Sequence, residues 1–196
     1  MSFVKKISRS LPPALLIAAS SMLLLFANIK NPNEYTISLI GADRPAAFFV
    51  LCLLMSTAAA VNILILMKNS GINSRFIKIT AYISNAAMIV ASLTATEEYI
   101  KGITELHWIC ALMFMGINPL IILFCIIKKI RRGDKKCLIP YGIFMPIYVF
   151  DLLYIFRSFA LFGFSGGKNG IMELIPLLST FILLFIFNFG TIKKET

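Results

Sequence analysis

The sequence predicts an all-α membrane protein, a single bundle of six transmembrane helices with both termini cytoplasmic. Two observations carry this reading: six long apolar runs within 196 residues, and basic residues gathered at alternate junctions between them. A hydrophobic fraction of 59% and a mean hydropathy of +0.86 leave no room for a sizeable soluble domain. The runs cover residues 11–29, 46–67, 76–94, 106–127, 137–164 and 171–190. A hydrocarbon core about 30 Å thick takes about 20 residues at about 1.5 Å rise each, so every run is long enough. None alternates apolar and polar residues as a barrel strand does, which leaves the helix as the spanning structure.

The first run follows a basic segment, as a secretory signal does. Phe26, Ala27, Asn28 and Ile29 make a poor cleavage site, and the run has the length of a true span, so it reads as an anchor. Pro12 and Pro13 suit its first turn, where a missing N–H is harmless. Residues 30–45 form the longest polar stretch, with a turn expected at Asn31, Pro32 and Asn33. Ser56 and Ala58 to Ala60 in the second run allow close helix approach. Pro119, Pro146 and Pro176 interrupt only the later runs, and no residues match between the halves. An inverted internal repeat of the transporter kind is therefore not supported.

Orientation follows from charge. Lys5, Lys6, Arg9, Lys68, Arg75, Lys78, Lys128, Lys129, Arg131, Arg132, Lys135, Lys136, Lys193 and Lys194 fall on one side, 14 of the 19 basic residues. The other side holds Lys30, Arg44, Lys101 and Lys168 against six acidic residues. The basic side is the cytoplasmic one. The net charge of +10 is thus explained by topology and by attraction to anionic lipid, without a nucleic-acid partner.

Cys52, Cys110, Cys125 and Cys137 lack metal-like spacing and read as small buried hydrophobes, although a Cys52–Cys110 disulfide is geometrically conceivable. With His107 the single histidine, a His- or Cys-rich zinc site is not expected, and neither is an intramembrane zinc hydrolase. No metal or cofactor is called for.

Chemistry is sought where polarity is expensive. Asp151 sits near the middle of the fifth run, where a carboxylate costs about 3 kcal/mol on an insertion scale. At 100° per residue Tyr148, Asp151, Tyr154 and Ser158 share a face about 120° wide, with Arg157 beside it and pointing away from Asp151. Lys78, Tyr82, Asn85 and Ser92 suggest a second polar face on the third run. Such stripes either line a cavity or bond helices together, the latter often worth only about 0.6 kcal/mol per contact. At the outer mouth lie Ser38, Gly41, Asp43 and Arg44, with Glu105, His107 and Trp108 at the start of the fourth run and Glu173 at the start of the sixth. Gly41 allows the loop a positive φ and a close backbone approach, and Pro45 is expected to open the second span. The bland account of Asp43 and Glu173 is a negative charge at a helix start.

Three functions are compatible with these residues. The first is a non-catalytic protein binding membrane lipid or a small amphiphile, with Asp151, Arg157, Tyr148, Tyr154, Ser38, Arg44 and His107 as ligand-binding candidates. The second is a proton-coupled carrier with Asp151 titrating. The third is a lipid-modifying enzyme whose catalytic candidates are His107, as general base, with Asp43 or Glu105.

The segment from Tyr35 to Phe49 also resembles the first outer loop of the damage-regulated autophagy modulator (DRAM) and FRAG-type family, and that of related six-span bacterial membrane proteins. The shared pattern is Ile37, Ser38, Gly41, Ala42, Pro45 and Phe49, followed at the fourth span by His107, Ala111 and Phe114. Leu39 and Arg44 stand where such loops tend to carry acidic residues. The similarity covers about residues 30–125. It implies a six-helix fold and an association with membrane-lipid organisation, with no established reaction. Lys193 and Lys194 match a dilysine retrieval signal of the endoplasmic reticulum. The ordinary reading is a basic cytoplasmic tail, and a bacterial plasma membrane is the expected location.

Overall fold

A computed structural model describes residues 3–31, 34–96, 98, 100–162 and 170–189. They form seven α-helices and a 3-10 turn, with no strand among the described residues. The helices are α1 (Phe3–Ala27), α2 (Ile37–Asp43), α3 (Pro45–Asn69), α4 (Arg75–Leu93), α5 (Ile103–Arg131), α6 (Leu138–Phe162) and α7 (Gly170–Phe189). Four of them, α1 over Ser10–Ala27, α3, α4 and α5, are long and apolar enough to cross a membrane. That is the composition of an integral membrane protein.

Local chemistry sets the helix ends. The Thr36 hydroxyl accepts from the Leu39 N–H at 3.1 Å and starts α2, while Pro45 occupies the first turn of α3, as expected. Ser74 caps α4 through the Ile77 N–H at 3.4 Å. Gly71 and Gly133, at φ 63° and 93°, turn the chain after α3 and α5.

Several boundaries differ from the sequence reading. α1 starts at Phe3, so Pro12 and Pro13 lie inside a helix instead of in its first turn. The expected loop over residues 30–45 contains α2. Gly41 is helical there and takes no positive φ. Its lack of a side chain serves the expected close approach, because a Cβ would collide with the Phe48 ring. That ring stacks on Phe26, centroids 5.7 Å apart, and so joins α1 to α3 beneath α2. α5 begins ahead of Glu105, which places Glu105 in its first turn and His107 in its second. Pro32 and Asn33 lie outside the described residues.

α3 is the central element. It packs against α1, α2, α4, α5 and α7, while α6 packs mainly on α7. Leu51, Met55, Ile63, Leu66 and Met67 of α3 are fully enclosed, with Leu16 and Leu23 of α1 on one side and Phe114, Ile122 and Ile126 of α5 on the other.

Polar contacts sort the helix termini into two ends. Lys128 at the close of α5 donates to the Gly71 carbonyl (3.1 Å), and Lys129 to the Phe187 carbonyl of α7 (3.3 Å). At the opposite end Ser38 of α2 meets Glu173 of α7, and His107 of α5 meets Ala91 of α4. The basic segments around residues 68–78 and 128–136 share the first end.

Asn62, fully buried on α3, binds this arrangement together. Its amide donates to the Pro12 carbonyl of α1 (3.1 Å) and to Ala58 one turn back (2.9 Å). Its own backbone and side-chain oxygens accept from the Asn188 amide of α7, at 2.9 and 3.3 Å. Replacing Asn62 with Leu removes its side-chain bonds to Pro12 and Asn188, leaving Asn188 only the backbone carbonyl, and a buried polar group that loses its partner costs about 1–3 kcal/mol. Asn62→Leu is expected to lower the thermal unfolding midpoint in detergent by several degrees. Thr57→Val, whose hydroxyl only bonds back to Leu53 on an exposed face, should leave it nearly unchanged.

Candidate functional site

The end of the bundle that holds α2 assembles much of what the sequence singled out, with different partners from those expected. Ser38, Gly41 and Asp43 lie on α2, and Arg44 joins α2 to α3. Asp43 pairs with Lys30, whose ammonium also sits 4.6 Å from the centre of the Tyr35 ring. Asn31 reaches Glu34 at 3.0 Å. These contacts lie on the exposed rim.

Deeper in, the Glu173 carboxylate accepts from the Ser38 backbone N–H at 3.3 Å and from the Ser38 hydroxyl at 3.3 Å. The first turn of any helix has N–H groups without helical acceptors, and its dipole favours a negative charge. Thr36 satisfies one such group of α2 from within the chain, and Glu173 satisfies another from 135 residues away. The carboxylate therefore fastens α2 to α7.

His107 serves the other half of that end. Its ring is buried and Nδ1 lies 2.7 Å from the Ala91 carbonyl, in the last turn of α4. Two acceptors at that separation would repel, so Nδ1 carries the proton and Nε2 presents a lone pair. Nε2 is buried and has no hydrogen-bond partner among the described residues. The half-buried indole of Trp108 meets the His107 ring edge-on, centroids 6.1 Å apart. Among the described residues the imidazole thus bonds a backbone carbonyl of α4, while Asp43 and Glu173 bond Lys30 and Ser38.

Between the ends, α3, α4 and α5 share a polar contact. Asn85 and Asn118 exchange amide hydrogen bonds at 3.3 and 3.4 Å. Ser84 donates to the Met113 carbonyl (3.0 Å) and to Asn118 (3.2 Å), and Ser56 donates to the Asn85 carbonyl at 2.6 Å. The polar face expected on α4 divides here. Asn85 and Ser92 are buried, but Tyr82 is 54% exposed, since it projects 60° to the outer side of Asn85. Lys78 turns to Asn73 at 2.7 Å. The buried part of this stripe binds helices together.

On α6 the Tyr148 hydroxyl is buried without a partner among the described residues. The side chains of Asp151, Tyr154, Arg157 and Ser158, like that of Cys137, lie outside the described residues. Cys52, Cys110 and Cys125 are buried free thiols, as small hydrophobes would be, and no Cys52–Cys110 disulfide is present. Among the described residues no three His, Cys, Asp or Glu side chains gather closely enough to hold a metal ion.

The end of the bundle that holds Gly71 and Arg132 is strongly basic. The Arg132 guanidinium occupies the space a Cβ at Gly71 would need, beside the Lys128 ammonium on the Gly71 carbonyl. Arg131, Arg132, Lys135 and Lys136 are exposed there, as are Lys68 and Arg75 at the facing turn. Asp134 lies 3.9 Å from Lys129.

No protein family, curated protein or solved structure matches the chain. Its function is read from these residues alone.

If Glu173 fastens α2, removing its carboxylate frees that helix. Glu173→Ala is expected to speed amide hydrogen exchange across residues 37–43 at least tenfold, with little change in the interior of α3. Glu34→Ala, on the exposed rim, should leave both unchanged.

Proposed function

We propose that the chain is a six-span membrane protein, both termini cytoplasmic, that binds anionic lipid at its inner basic end and performs no catalysis. The length of α6 and α7, 25 and 20 residues, supports counting them as the fifth and sixth spans beside α1, α3, α4 and α5. The alternation of helix ends supports an up-and-down bundle. Charge distribution supports placing the Gly71 and Arg132 end in the cytoplasm. A bacterial plasma membrane is the setting this reading takes.

The observation that carries the lipid assignment is the convergence at Gly71. Two chain segments 57 residues apart, the turn after α3 and the end of α5, bring Lys128 and Arg132 together at the level where α3 and α5 leave the apolar core. Lys68, Arg75 and Arg131 stand around them, with Asp134 the acidic residue alongside. A lipid phosphate supplies paired oxygens that suit a guanidinium fork, and a basic residue near an anionic surface contributes about 1 kcal/mol. Of the acidic residues weighed as catalytic partners, Asp43 supports a structural role, since it pairs with Lys30.

Native mass spectrometry of the purified protein tests the assignment. Phosphatidylglycerol is expected to stay bound at collision energies that strip phosphatidylcholine, and the double variant Lys128→Gln, Arg132→Gln should erase the difference. Equal loss of both lipids from the unchanged protein would end this reading. Topology has its own check: a cysteine at position 133, in a background without the native four, should react with a membrane-impermeant maleimide only after the cells are opened. Labelling of intact cells would reverse the orientation.

A further inference from the structure

We propose that His107, Cys110 and Met113 form a binding site for monovalent copper at the outer end of the α4–α5 contact. The inference begins with the imidazole. His107 is 5% exposed, its Nδ1–H is held by the Ala91 carbonyl at 2.7 Å, and its Nε2 lone pair is buried without a partner among the described residues. Metal-bound histidines are held this way: one ring N–H donates to a carbonyl, which orients the ring and leaves the other nitrogen for the ion.

Soft donors follow at helical spacing. Cys110, three residues on, stands on the same face, where side chains three apart have Cβ atoms about 5–6 Å from one another. Its thiol is free and 7% exposed. Cys110 packs with Ala87 and Ala91 of α4, and Met113, three residues further, packs against the same cluster. The His107 ring, through Nδ1 on the Ala91 carbonyl, and both sulfur residues thus border Ala91 and its neighbours on α4. Thiolate and thioether are soft donors that suit monovalent copper and zinc, and imidazole suits both as well.

Charge selects between these ions. In apolar surroundings an uncompensated charge is strongly disfavoured. Monovalent copper with one thiolate is neutral, whereas zinc or another divalent ion with this donor set keeps a net positive charge. Binding exchanges the Cys110 thiol proton for the cation: an S–H bond breaks, an S–Cu bond forms, and the proton leaves to water at the outer end. The histidine stays neutral throughout, its Nδ1–H still on Ala91. The copper keeps its oxidation state, so no electron donor is involved. This site is independent of the inner lipid site.

Anaerobic titration of the purified full-length protein with monovalent copper, in competition with bicinchoninate, tests the proposal. One equivalent should bind, with an X-ray absorption spectrum showing sulfur and nitrogen neighbours. Cys110→Ala is expected to weaken binding at least tenfold, and so is His107→Ala. Met113→Leu should have a smaller effect, and Cys52→Ala and Cys125→Ala none. Because His107→Ala also removes the bond to Ala91, Cys110→Ala, which preserves it, is the deciding variant. Absence of binding to the unchanged protein would overturn the site. Undiminished binding by Cys110→Ala would do so too, as would zinc binding with equal affinity.

Discussion

The buried amide of Asn62 is the contact on which the bundle's arrangement turns. Apolar helices surrounded by apolar material gain little from choosing one register over another, because lipid tails are as greasy as leucine. A buried amide removes that indifference. Asn62 reaches Pro12 on α1 and accepts from Asn188 on α7, so sliding either helix by a turn leaves donors and acceptors bare. The Asn85–Asn118 pair, with Ser56 and Ser84 beside it, does the same for α3, α4 and α5. Leucines, methionines and phenylalanines then fill the space those contacts define.

A second layer of constraint works at the helix ends. Each helix terminus carries N–H or C=O groups that the helix cannot satisfy, and here other segments satisfy several of them. Glu173 takes the first turn of α2, His107 the last turn of α4, and Lys129 the last turn of α7. These charged and titratable residues look like chemistry when listed by position. Their geometry gives most of them an architectural role, and it marks His107 out because only one of its two ring nitrogens is used that way.

The apolar runs of α1, α3, α4 and α5 were legible because a bilayer imposes length and hydropathy on any helix that crosses it, whatever its neighbours. Pro45 at the start of α3 was legible for a similarly local reason. The seven residues of α2 were not: Ser38, Gly41 and Asp43 are ordinary loop residues, and what makes them a helix is Thr36 at one end and Glu173 arriving from α7. Asn62, Asn118 and Asn188 escaped notice because periodicity assigns a residue to a face without saying what that face meets. Tyr82 was misassigned for the same reason, since a stripe about 80° wide still includes a position that looks outward. The spacing of His107, Cys110 and Met113 was visible all along. The buried, unpartnered nitrogen that gives the spacing meaning was not.

Buried polar atoms without partners are rare enough that each calls for an account. Among the described residues three such atoms stand out: His107 Nε2, the Tyr148 hydroxyl and Asn188 Oδ1. Asn188 belongs to the Asn62 junction, where its amide nitrogen is already engaged and α7 is held in place. Tyr148 faces the core from α6, the helix that packs mainly on α7, so its hydroxyl has a reduced choice of donors from the rest of the bundle. His107 differs from both. It sits between two helices that pack closely, its orientation is set by a short bond to a backbone carbonyl, and sulfur atoms follow it at three-residue steps. A lone pair held rigidly beside soft donors is poised to bind an ion, whereas one on a loosely packed helix can be relieved by a small rotation. The same lack of partners therefore has different consequences at the two tightly and loosely packed edges of the bundle.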